Sequence, residues 1–205
     1  MALEAIAAWG SANQMIAVPV FLLAYFLLGF MLKYVDAALD DGLFKKKKAL
    51  FVACLMAAIV AVMMNLSEMT LVIFTAIILG VIIARKVDNM VFVTGTFLCF
   101  ALYFILGGMI NPLIFNIQVF MLIFLAILLE EKVDYKKEKW FRTKKGKFFS
   151  FLFEYGFMLK IAAFIAFLVI MFQPVFFAAL LLFDLGYDFM LLIVHKKLGK
   201  GILWG

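Results

Sequence analysis

The chain has 205 residues, of which 68% are hydrophobic and 16% charged, and its formal net charge is +6. An apolar share this far above the roughly one half of a soluble domain excludes a water-soluble globular protein. The positive charge is no sign of nucleic acid either, because stacking aromatics beside basic groups would be its signal, and here the phenylalanines lie within apolar runs.

Residues 1–14 read as a short interfacial segment, with Trp9 among small apolar residues. Glu4 and the lack of a basic start argue against a cleavable signal peptide. Seven apolar runs follow: Met15 to Leu32, Ala49 to Met64, Met69 to Ala84, Met90 to Leu106, Leu113 to Leu129, Phe157 to Phe172 and Val175 to Val194. Each is near the lower end of what crosses a hydrocarbon core of about 30 Å. The expectation is an all-α, polytopic membrane bundle: one seven-helix domain over 15–195, then a basic tail, 196–205.

The last two runs are nearly continuous, and as one helix they would be about 60 Å long at 1.5 Å per residue, twice a bilayer. A tight hairpin is therefore expected at Gln173-Pro174, since proline lacks an amide donor and clashes with the preceding turn. Pro19 and Pro112 also sit near the starts of apolar runs, where proline is best tolerated. Gly107-Gly108 reads as a helix end. Cys54 and Cys99 fall inside apolar runs and read as packing residues. Lys160 can snorkel from the sixth helix, and His195 reads as interfacial, because a chain with a single histidine has no second one for a metal site.

Basic residues set the orientation. They follow the first, third and fifth runs, at Lys45 to Lys48, at Arg85 and Lys86, and from Lys132 through Lys147, and they recur in the tail. The alternate connections, from Asn65, Gly107 and Met171, hold no lysine or arginine. The N-terminus is expected outside and the C-terminus inside, with the basic face against anionic membrane lipids. A prokaryotic cytoplasmic membrane is the expected location.

Three of these exits share a phrase, a basic residue followed by or close to Val-Asp, with aspartates at Asp36, Asp88 and Asp134. The recurrence suggests a fold of repeated helical hairpins. Two of the phrases carry a second acid four positions on, Asp40 after Asp36 and Glu138 after Asp134. On a helix each pair shares a face and repels. Either the neighbouring lysines or a bound cation offsets that repulsion. A hard divalent ion such as Mg²⁺ takes carboxylate and phosphate oxygens, so Asp36, Asp40, Asp134 and Glu138 are candidate metal ligands. Lys33, Lys45, Lys46, Arg85, Lys137 and Arg142 are candidate contacts to a diphosphate. The apolar interior would take an isoprenoid tail.

The two acidic pairs resemble the aspartate-rich DxxxD motifs of the UbiA-type membrane prenyltransferases. "DAALD" from Asp36 is similar to the end of the first motif and "DYKKE" from Asp134 to the second, with Glu in the last place. The resemblance covers Leu22 to Phe172. It implies binding of a polyprenyl diphosphate through Mg²⁺ at the cytoplasmic face and transfer of the prenyl group to a lipid or aromatic acceptor. The chain departs from the family in having Leu32-Lys33 where the first motif begins Asn-Asp, and in lacking two of the nine helices.

A third pair, Asp184 and Asp188, lies inside the seventh run. Asp184 is about 15 Å from Pro174 along a helix, near mid-bilayer, where a carboxylate needs a cavity or a partner. Asn116, Gln118 and Tyr187 are the expected partners. The alternative to the prenyl-diphosphate reading is a small transporter or channel subunit that uses Asp184 and Asp188 as an ion or proton site.

Overall fold

The computed structural model describes residues 14–83, 89–107, 116–140, 157–169 and 173–198, and the side chains within them except those of 14–15, 130–140, 157–159 and 169. The described residues are all-helical, with no strand: α1 (Gln14–Leu39), α2 (Lys46–Leu66), α3 (Glu68–Ile83), α4 (Met90–Ile105), α5 (Ile117–Trp140), α6 (Phe157–Val169) and α7 (Pro174–Lys197). Three of them, α1, α2 and α7, are long and apolar enough to cross a membrane, while α3, α4 and the apolar part of α5 are shorter. These helices mark a membrane protein. The first 13 residues of the interfacial segment expected over 1–14, Pro112, Gly108 and the tail from 199 onward lie outside the described residues.

Helix boundaries follow local chemistry. Gly107, at φ +90°, occupies the left-handed region just past α4, which closes that helix as the glycine pair suggested. Asn89 starts α4 by accepting from the Val91 N–H at 3.1 Å, and Asn116 starts α5 by accepting from the Val119 N–H at 3.1 Å. Only Ser67 separates α2 from α3, and Glu68 opens α3 with a negative charge at the positive end of its dipole. Pro174 opens α7, and the Phe176 N–H bonds back to the Gln173 carbonyl at 3.0 Å. α1 begins at Gln14, one residue before the apolar run, so Pro19 lies inside the helix, in its second turn.

The helices form two compact units. The first contains α1, α2, α4 and α7 from Ala178 onward. In it α2 buries Ala49, Ala53, Ala57 and Ala61. The spacing of four aligns them on one face, and small side chains let neighbouring backbones come close. A Cβ on Gly95 of α4 would sit 3.7 Å from Ala53, an ordinary contact. Nearer the other end of the pair Asn65 Nδ2 donates to the carbonyls of Ala61, at 2.9 Å, and Tyr103, at 3.2 Å. Cys99 is buried with its Sγ 3.9 Å from Met64 Sδ. Ala53 with Gly95 and Asn65 with Tyr103 make α2 and α4 parallel neighbours.

The second unit contains α3, α5, α6 and the first turn of α7. Val119, Ile123, Ala126 and Ile127 of α5 are buried, as is most of α3 from Thr70 to Ala76. Gly80 of α3 admits the Ile127 side chain: a Cβ there would lie 2.9 Å from Ile127 Cγ2. Phe164 and Phe167 of α6 each pack their rings 5.9 Å from that of Phe177.

Candidate functional site

The described polar side chains concentrate where α1 and α7 end in the first unit, and the sequence explains why these helices meet there. Phe26 to Phe30 reads "FLLGF" and Phe183 to Tyr187 reads "FDLGY". A Cβ built on Gly29 would overlap the Phe183 carbonyl, and one on Gly186 would overlap the Phe26 carbonyl. The contact is reciprocal, with each glycine taking the carbonyl three residues before the other. Backbones this close bring Cα–H groups onto carbonyl oxygens and need glycine at both positions.

Beyond the crossing the helices run parallel. Asp36 pairs with Tyr187, Ala37 packs with Met190 and Val194, and Phe44 meets Lys197. The first pairing forms a charge-compensated cluster. Lys33 Nζ donates to Asp36 Oδ2 at 2.6 Å, from one turn earlier on the same helix. The Tyr187 hydroxyl donates to the same oxygen at 3.3 Å. The Lys33 ammonium also lies 5.2 Å from the centre of the Tyr187 ring, within cation–π range. The Lys33 and Asp36 side chains are 14% and 29% exposed, so this pair is shielded more than an ordinary surface bridge.

After α1 the chain folds back over its own end. The Asp40 N–H bonds to the Asp36 carbonyl at 2.9 Å, the Leu43 N–H to the Ala37 carbonyl at 3.3 Å, and Gly42 takes φ +64°. Leu43 and Phe44 pack against the Ala37, Met190 and Val194 cluster. The Phe44 ring stacks on Tyr34 at 4.3 Å, and Lys197 Nζ lies 4.4 Å from its centre. Lys45 to Lys48 are all exposed around the start of α2, whose first turn has no acid. His195, Lys196 and Lys197 fill the last turn of α7, where positive charge suits the helix dipole.

The expected site residues fall as follows. Asp36 lies in α1 with Oδ2 held by Lys33 and Tyr187, and Asp40 is exposed just past the helix end. Asp134, Lys137 and Glu138 are positions within α5, but their side chains are not described. Arg85 and Arg142, like Asp88, lie outside the described residues. Asp184 and Asp188 are half-buried in α7. Of their expected partners, Asn116 spends its side-chain oxygen on capping α5, Gln118 is exposed, and the Tyr187 hydroxyl goes to Asp36. Among the described residues no group of three or more His, Cys, Asp or Glu side chains is gathered to hold a metal.

Nothing among protein-family models, curated proteins or solved structures matches this chain. The site therefore rests on its own geometry. Two participants escaped sequence reasoning, Tyr187 as the partner of Asp36 and the glycine pair that sets the helices. The repeated Phe-x-Leu-Gly-aromatic phrase was the available signal for both.

Proposed function

We propose that the chain is a seven-span membrane protein, N-terminus outside, that binds a polyprenyl diphosphate or related lipid phosphate at its cytoplasmic face. The observation that carries the reading is helical continuity through the acidic phrases. α1 runs through Asp36 to Leu39, with the Asp40 amide still in helical register, and α5 runs to Trp140, through the positions of Asp134 and Glu138. Each acidic pair is thus spaced by one helical turn, as two ligands to one cation require. The parallel course of α1 and α7 fits the orientation, because the first and last spans of a seven-span path run the same way.

In this reading Asp36, Asp40, Asp134 and Glu138 hold Mg²⁺, which supplies positive charge against a diphosphate. Asp36 suits the role in part: it lies near the end of α1 and has Oδ1 besides the oxygen that Lys33 and Tyr187 hold. In this reading Lys33 passes from Asp36 to a phosphate oxygen, while Lys45 and Lys46 meet the phosphates from the solvent side. Prenyl transfer to a lipid or aromatic acceptor is the proposed reaction.

The test is binding of fluorescent geranylgeranyl diphosphate to the purified chain, with and without Mg²⁺. Mg²⁺-dependent binding that disappears in an Asp36→Asn, Asp134→Asn double variant is expected. No binding to the wild-type chain would sink the reading.

A second reading is favoured by the half-buried Asp184 and Asp188, one turn apart in a helix long enough to span. It makes the chain a transporter or channel subunit with an ion or proton site at these acids. Ion flux in proteoliposomes that is lost in Asp184→Asn would support it.

A further inference from the structure

We infer that Lys45 to Lys48, together with Lys196 and Lys197, form one pre-arranged surface for the phosphate headgroups of anionic phospholipids. The two groups of lysines are far apart in the chain, yet the folded loop joins them. Lys197 lies over the ring of Phe44, the residue before Lys45. Phe44 is in turn fixed by Tyr34 and, with Leu43, by the cluster around Met190 and Val194.

The six lysines are exposed, and the acids that adjoin them in the chain are Asp40 and Asp41. The next acids along are Asp36, engaged by Lys33 and Tyr187, and Asp188, half-buried in α7. A strong positive excess is therefore held in place at a cost in mutual repulsion, which an anionic partner would relieve.

Location selects the partner. The three helices long and apolar enough to span are α1, α2 and α7, and the lysines stand where α2 begins and α7 ends, beside the end of α1. Cations at the ends of spans lie at headgroup depth, where each contributes about fivefold to association with an anionic surface. This surface shares Lys45 and Lys46 with the proposed lipid-diphosphate site but needs neither the acidic pairs nor Mg²⁺, so binding without Mg²⁺ tells the two apart.

The experiment uses the full chain in nanodiscs of equal phosphatidylglycerol and phosphatidylcholine. Mass spectrometry would count the lipids retained on the protein after gentle delipidation. Enrichment of phosphatidylglycerol is expected, weaker at high salt because exposed charges are screened. Replacing Lys45 to Lys48 with Gln should reduce it about tenfold or more. Phe44→Leu keeps every charge and an apolar side chain but removes the ring beneath Lys197, and it should reduce the enrichment severalfold in a chain whose circular dichroism is unchanged.

Equal retention of the two lipids by the wild-type chain would overturn the proposal. So would full enrichment in Phe44→Leu, which would leave only loose charge attraction. Displacement of phosphatidylglycerol by inorganic diphosphate in the absence of Mg²⁺, where the proposed diphosphate site is not formed, would overturn it in favour of a soluble phosphate ligand.

Discussion

Two glycine contacts, one in each unit, look alike in sequence and differ in what they meet. Gly29 and Gly186 each face backbone, the carbonyl of the opposite helix. Gly80 faces the branched side chain of Ile127. A side chain can turn or give by a few tenths of an ångström, but a helix backbone can only move away as a whole. The lesson is that the α1–α7 pair is fixed by main-chain geometry, and every polar group one turn beyond it inherits that alignment.

Substitution at the backbone contact should break the molecule most severely. Gly29→Ala or Gly186→Ala should each cost about 3 kcal/mol or more, the upper range for overpacking, in unfolding from mixed micelles. Next comes the cluster that the crossing positions. Asp36→Asn removes the charge facing Lys33 and should cost about 1.5 to 3 kcal/mol, whereas Tyr187→Phe, which keeps the ring, should cost about 1 kcal/mol.

Gly80→Ala is expected to cost about 1 kcal/mol or less, because strain against Ile127 is offset by alanine's better helix propensity. Gly95→Ala, with its ordinary contact to Ala53, should be neutral or stabilising by up to about 1 kcal/mol. Equal losses at Gly29 and Gly80 in the same unfolding assay would erase the distinction between the two contacts. A loss at Gly95 as large as at Gly29 would show that any glycine in these helices is equally constrained.

The helices were legible because an apolar run is a local property. All seven runs correspond to helices, and the break before Pro174 falls where the chain changes element. The ends were less legible: α1 continues from Leu32 to Leu39 and α5 from Leu129 to Trp140. Hydropathy marks where a bilayer would end, while the backbone ladder continues through lysine and aspartate at only a small cost in helix propensity.

The candidate site was half legible. Lys33 and Asp36 adjoin in sequence and their bridge follows from helical spacing, but the third member, Tyr187, lies 151 residues from Asp36. No local pattern joins those two positions. The repeated Phe-x-Leu-Gly-aromatic phrase does so indirectly, since like motifs on parallel helices can interlock with local two-fold symmetry.

The distance between those partners also matters while the chain is being made. Of the described helices α1 leaves the ribosome first and α7 last. At 5–20 residues per second the 151 residues from Asp36 to Tyr187 take about 8 to 30 s to synthesise. Throughout that interval the groove at Gly29 has no backbone to fill it and Asp36 has no tyrosine. The newborn first helix must wait among lipids or beside a chaperone, and a ribosome that stalls before α7 leaves an orphan whose glycine face is open to any other helix that drifts past.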